Sequence, residues 1–235
     1  MKIEIWSDVV CPFCYIGKRK LEKALDKFPY KNQVEIEWKS FQLNPDQQTN
    51  PQLNTLEHLA QSKGWSMDQT RQITSQVVEM AKAEGLEFDF DKAVVANTKR
   101  AHQLIHLAKE FGKQDEMKER LLRAYFSEGR NVDDLDTLIE LGQEVGLIAD
   151  KIKVSLESNE LENAVYQDIY DSRLIGVRGV PFFVLDRKFG ISGAQPDDVF
   201  EGTLEKAWME FAKNNSVLEI TPGTEGGSCD LEGNC

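Results

Sequence analysis

The residues of this chain best suited to chemistry are its four cysteines, and their placement says more than their number. Cys11 and Cys14 stand near the start, Cys229 and Cys235 at the end, and none lies between them. That does not suit a small secreted fold, whose cysteines are scattered to staple the core. Two close pairs suit reversible dithiol chemistry or a metal site. In Cys11-Pro12-Phe13-Cys14 the thiols are one helical turn apart. Such a pair works best with its first sulfur at a helix N-terminus, where unpaired N–H groups and the helix dipole favour an anion. Pro12 fits a first turn, because its missing N–H has no partner there. Cys11 is then the exposed attacking sulfur, its pKa lowered from the free value of about 8.5. Cys14 is the shielded sulfur that resolves the mixed disulfide. The competing arrangement is a zinc site of all four thiolates. The wide spacing of Cys229 and Cys235, and a helix where a turn would be needed, speak against it, and no metal is expected.

The elements around this motif follow from hydrophobic periodicity. Residues 2–7 alternate and predict a strand; from Pro12 the apolar residues Tyr15, Leu21, Ala24, Leu25 and Phe28 recur at helical spacing. Residues 34–41 alternate again, so the first 41 residues form a β-α-β unit with the dithiol at the strand-to-helix junction. A right-handed crossover makes the two strands parallel. From about 55 to 175 helix follows helix, five to seven in all, with a capping box at Ser66–Gln69 and Gly85, Gly112, Gly129 and Gly146 as C-caps. Val180–Leu185 and Phe189–Gly193 predict an antiparallel hairpin, and residues 197–213 a closing helix. The fold class is therefore α/β: elements in β-α-β and β-β-α order, residues 1–44 and 176–213, interrupted by a large all-helical insertion at 45–175. An acidic tail, 214–235, follows and is expected to be flexible.

Composition narrows the partners. The chain has 235 residues, 40% hydrophobic and 29% charged, enough to bury a core without staples. With 40 Asp and Glu against 28 Lys and Arg, its net charge is −12, and no basic face is available to neutralise phosphates. Nucleic acid is excluded. No apolar run approaches the roughly 20 residues of a membrane span, and the start carries no leader-like apolar stretch. A cytoplasmic protein, monomer or homodimer, is expected.

Pro181 is the second chemical clue. Proline is rare at the mouth of a strand unless it serves a turn or an edge, and in this topology Val180-Pro181 abuts the start of the first helix. A cis bond there would present the Val180 backbone to an extended peptide or small thiol held beside Cys11 and Phe13. A trans strand-entry proline remains the alternative.

These residues resemble a known family. The segments Ser7–Gly17, Phe41–Pro45, Asn97–His102, Gly176–Phe183 and Ser192–Gln195 are similar to the DsbA family of the thioredoxin superfamily, and within it to the FrnE-like branch. The resemblance implies a thioredoxin fold with a DsbA-like helical insertion, and a cytoplasmic thiol–disulfide oxidoreductase or isomerase with Pro181 in cis. It also implies an auxiliary redox pair at the C-terminus, here Cys229 and Cys235, able to pass electrons to Cys11–Cys14. The branch is related to 2-hydroxychromene-2-carboxylate isomerases and kappa-class glutathione transferases, which carry serine where this chain has Cys11. Asn97, His102 and Gln195 are then candidates to line a substrate pocket, although His102 also fits a satisfied interdomain histidine. No tightly bound cofactor is expected; glutathione or another thiol reductant would be a co-substrate, and disulfide-containing proteins or small thiols the partners. A glutathione-dependent isomerase or transferase, and a binding module for unfolded chains, are the competing functions.

Overall fold

The computed structural model describes residues 1–158 and 160–215. Strand β1 (Lys2–Ser7) lies in the middle of a four-stranded sheet, parallel to β2 (Glu35–Ser40) and antiparallel to β5 (Phe182–Leu185); β6 (Phe189–Ser192) closes the other edge. Alternation sets the register. Ile3 pairs with Ile36 and Leu185, and Ile5 with Trp38 and Phe183, so one sheet face is apolar. Helices α1 (Pro12–Lys27) and α9 (Asp197–Asn214) cover it with Ile16, Leu21, Phe200 and Leu204. One helical residue must be small. A Cβ on Gly17 would stand 3.1 Å from both Pro181 Cγ and Phe183 Cζ, so glycine lets α1 lie directly on the strand that follows Pro181.

Between β2 and β5 the described residues form seven helices: α2 (Thr55–Lys63), α3 (Met67–Ala83), α4 (Lys99–Glu110), α5 (Gln114–Phe126), α6 (Leu135–Glu144), α7 (Ala149–Ser158) and α8 (Glu162–Leu174). The capping box is present at the start of α3, and Gly85, Gly112, Gly129 and Gly146 all have φ between 65° and 94°, the left-handed backbone that ends helices. The insertion is not helical throughout. Asn50–Asn54 (β3) and Val94–Val95 (β4) form an antiparallel ribbon; the polar, proline-containing Asn50-Pro51 segment reads as loop because its partner is some 40 residues away.

The insertion is fixed to the sheet edge by hydrogen bonds. The side chain of Gln114 accepts from Trp38 N at 3.0 Å and donates to Trp38 O at 2.9 Å. Ser40 N donates to Asp168 Oδ2 at 2.8 Å. These bonds satisfy an edge strand that would otherwise be a template for aggregation. The apolar core is continuous from Ile3 and Ile5 through Tyr15 to Phe88, Phe126, Leu104 and Leu138. No described helix is long and apolar enough to cross a membrane.

Candidate active site

Helix α1 begins at the dithiol. Cys11 is its N-cap with extended backbone, Pro12 opens the first turn, and Cys14 N donates to Cys11 O at 3.1 Å. No side chain caps the helix and its first turn holds no acid, so the positive helix end is left to the sulfurs. Both thiols are free. Cys14 is wholly buried, but Cys11 is not the exposed sulfur that its position suggests: it is 4% exposed. Its Sγ donates to Val180 O at 3.5 Å, and Val180-Pro181 is a cis bond. The exposed residue of the motif is Phe13, at 39%.

The two thiols share a hydrogen bond and titrate as a pair. That bond, with burial, pushes the Cys11 thiol well up. Burial also acts against ionisation of Cys14. It is outweighed by the bond from Cys11, by the Lys118 ammonium and by the Ser7 hydroxyl, and the Cys14 thiol is lowered. The lowered pKa expected of Cys11 therefore belongs to Cys14.

Behind Cys14 lies a set of charges that no spacing in the sequence announces. Asp8 is 1% exposed and accepts from Val9 N and Leu43 N, each at 2.8 Å. His102 Nε2 stands 3.2 Å from its Oδ1. Burial opposes the Asp8 charge, yet His102, Leu43 N–H and Lys118 hold the carboxyl below its usual range. Burial pushes His102 down against the pull of Asp8, so the ring is neutral at neutral pH and Nε2 donates to the carboxylate. Lys118 of α5 is 1% exposed. Its Nζ donates to Ser7 O at 3.5 Å and lies 5.4 Å from the centre of the Trp38 ring. Burial drives its pKa down, against attraction from Cys14 and Asp8.

A dithiol at a helix N-terminus, facing a cis-proline carbonyl on a β-α-β and β-β-α sheet, invites comparison with known proteins. The sequence pattern of the DsbA-like thioredoxin domain matches residues 2–205. The chain belongs to the DsbA-like thioredoxin family. The uncharacterized protein YwbO of Bacillus subtilis is 32% identical over 206 residues, 85% of this chain and 93% of that one. A probable DsbA oxidoreductase of Streptomyces coelicolor is 34% identical, with a TM-score of 0.85 over 100% of this chain and 98% of its own. The cytosolic disulfide reductase DsbM of Pseudomonas aeruginosa shares the fold at 19% identity, with a TM-score of 0.65 over 89% of this chain and 100% of its own.

In this DsbA-like chain the remaining candidate residues have bracing contacts. Asn97 donates through Nδ2 to Pro45 O and Gln47 O at 3.0 and 2.9 Å, and its Oδ1 accepts from Lys99 N at 2.8 Å. Gln195 donates to Ser192 O at 2.7 Å, holding the turn whose Gly193 N donates to Pro181 O at 2.8 Å. His102 is committed to Asp8, as a satisfied interdomain histidine would be. Cys229 and Cys235 lie outside the described residues. A cavity of about 360 Å³ opens beside the motif, lined by Asp8, Val10, Leu43, Gln47, His58 and Lys63 among others. No group of His, Cys, Asp and Glu among the described residues is arranged to hold a metal.

Proposed function

We propose that this chain is a thiol–disulfide oxidoreductase whose working dithiol is Cys11–Cys14. The observation that carries this reading is the free Cys11 thiol at the N-cap of α1, in hydrogen-bond contact with the carbonyl of cis Val180-Pro181, with Cys14 one turn behind it. A proton passes from Cys11 to Cys14 along their shared bond, and the Cys11 thiolate attacks a substrate sulfur. The substrate disulfide breaks and its distal sulfur leaves as thiolate. That leaving thiolate takes the proton from Cys14, and the Cys14 thiolate attacks Cys11 Sγ, forming the Cys11–Cys14 disulfide and releasing the second substrate sulfur as thiolate. The substrate segment takes the place of Cys11 at the Val180 carbonyl, with Phe13 at its flank.

The direction we propose is reductive, in a cytosolic setting such as that named for DsbM, with the membership of the FrnE-like branch that the motifs suggest. The substrates are disulfide-bonded proteins or small disulfides, and a low-molecular-weight thiol such as glutathione recycles the pair. The cavity beside Val10 favours that small-thiol step and supports a second reading, a glutathione-dependent isomerase or transferase. Reduction of a model protein disulfide, driven by glutathione or by a thioredoxin-type reductant, separates the two. Wild-type turnover that falls to background in Cys11→Ser supports dithiol exchange. Wild-type protein that binds glutathione yet reduces no disulfide supports the second reading.

A further inference from the structure

Helix α8 carries apolar side chains on both of its faces. Its inner face buries Val165, Asp168 and Ser172. On the opposite side, four residues apart, stand Tyr166, Tyr170 and Leu174, each more than half exposed, and exposed Ile175 follows them. A surface helix ordinarily turns polar groups outward, and one that is apolar all round is covered on both sides. The longest helix of the insertion, α3, shows the ordinary pattern, with Arg71, Gln72, Ser75, Gln76 and Glu79 exposed. Single exposed apolar residues need no explanation, but a continuous row of them marks an interaction surface.

The charges along this row point to what covers it. The chain carries a net charge of −12, so two copies repel unless they meet where charge is balanced. The acids of residues 162–178 each have a partner. Lys99 Nζ lies 3.0 Å from Glu162, Lys39 Nζ lies 3.1 Å from Asp168, and Gln167 donates to Asp171 at 2.8 Å. Arg173 and Arg178 have no ion pair among the described residues. Lys99 and the Tyr166 hydroxyl both donate to Oε1 of Glu162, and its Oε2 has no partner among the described residues. The row thus ends in an open carboxylate oxygen on one side and a free guanidinium on the other. Such a surface is complementary to itself when turned end for end.

We propose that this face is the contact between two copies of the chain in solution, made by antiparallel pairing of their α8 helices about a two-fold axis near Tyr170. Each residue then meets one at equal distance on the other side of the axis. Tyr170 packs on Tyr170 of the second copy, and Tyr166 on Leu174. Glu162 and Arg173 stand about three helical turns apart and so share one flank of the helix. The two-fold axis sets equal flanks side by side, which brings Arg173 of each copy to the open oxygen of Glu162 in the other. Ile175 continues the row into the segment that ends at Val180-Pro181. One helix and its following loop offer less than the roughly 800 Å² per partner of a standard interface, so the dimer is reversible.

The test is sedimentation of the full chain over a range of concentrations, with its thiols kept reduced. The wild type is expected to pass from monomer to dimer as concentration rises. Tyr170→Glu sets two carboxylates at the axis and is expected to weaken association at least about tenfold. Leu174→Lys, at the most exposed position of the row, is expected to do the same and decides should the first variant not fold. Arg173→Glu is expected to weaken association, and adding Glu162→Arg, which restores opposite charges across the axis, to bring it back toward wild type. A wild type that stays monomeric up to its solubility limit overturns the proposal, as does a dimer equally tight in folded Tyr170→Glu and Leu174→Lys. A monomeric wild type whose Tyr170→Glu variant loses reduction of a protein disulfide but keeps that of a small one also overturns it, and assigns the face to substrate proteins. Sedimentation reads no thiol chemistry, so failure of the dithiol reading would leave this result standing.

Discussion

The two sulfurs of the motif face different environments, though they are three residues apart. In front, Cys11 meets backbone and apolar groups: the Val180 carbonyl, Pro181, and the exposed ring of Phe13. Behind, Cys14 meets Ser7, Lys118, Asp8 and, through Asp8, His102. The front is built by the thioredoxin-like strands and their hairpin. Much of the back comes from the insertion, His102 from α4 and Lys118 from α5. A carbonyl edge can accept many substrate segments because it reads backbone, not side chains. The charges at the back are buried and act on the ionisation of Cys14. The two environments are thus divided between two parts of the chain.

The front is the easier side to break. Gly17 allows α1 to lie against Pro181 and Phe183, and Gly17→Val places a branched side chain where even a Cβ stands 3.1 Å from both. Overpacking of this kind costs about 1–3 kcal/mol, measurable as a lower denaturant midpoint. The displaced Pro181 is expected to reduce exchange activity more than the stability loss alone does. A variant destabilised to this degree but fully active would show that the position of Pro181 does not matter to the front.

The back answers to pH instead. His102 is held neutral by burial, its pKa pushed below the usual histidine value of 6.5. As pH falls through 6.5 the unfolded chain binds a proton there that the folded chain does not, so stability drops until the lower folded pKa is reached. The slope in that window is up to about 1.4 kcal/mol per pH unit. Asp8 is also depressed, from 3.8, so its share of stability is lost only below that pH. His102→Gln can still donate to Asp8 but cannot be protonated. Urea midpoints measured from neutral to mildly acidic pH are expected to fall for the wild type and to stay flatter for the variant. Parallel curves would mean that His102 is not the acid-sensitive group.

This division also explains what the sequence disclosed. Cys11, Cys14 and the junction at Pro12 are legible because strand alternation, helix entry and dithiol spacing are local patterns. Pro181 is legible because proline at a strand mouth needs a reason. Lys118 and Asp8 are not. Lys118 sits two residues before the Arg120-Leu121-Leu122 stretch of an amphipathic helix and reads as a solvated lysine; only the docking of α5 on β2 encloses it. Gln114, which satisfies Trp38, is hidden for the same reason. The β3–β4 ribbon is missed because Asn50-Pro51 has the composition of a turn and its partner strand has two residues. Exposure of Cys11 is misjudged because the cover comes from Val180, 169 residues away.

The smallest effect is expected where neither face of the dithiol is touched. Asn97 ties the 45–47 segment to the start of α4 through Pro45 O, Gln47 O and Lys99 N, and Gln47 lines the cavity beside Val10. Asn97→Ala removes these bonds from a partly exposed site, a net cost of about 1 kcal/mol. The sulfurs keep all their neighbours, so the redox equilibrium with glutathione is expected to be unchanged. The cavity wall is loosened, and KM for a small thiol reductant is expected to rise about threefold, less than the tenfold that 1.4 kcal/mol would bring. A shift in the equilibrium constant with no change in KM would invert this assignment, placing Asn97 with the groups that tune Cys14 rather than with the walls that receive a substrate.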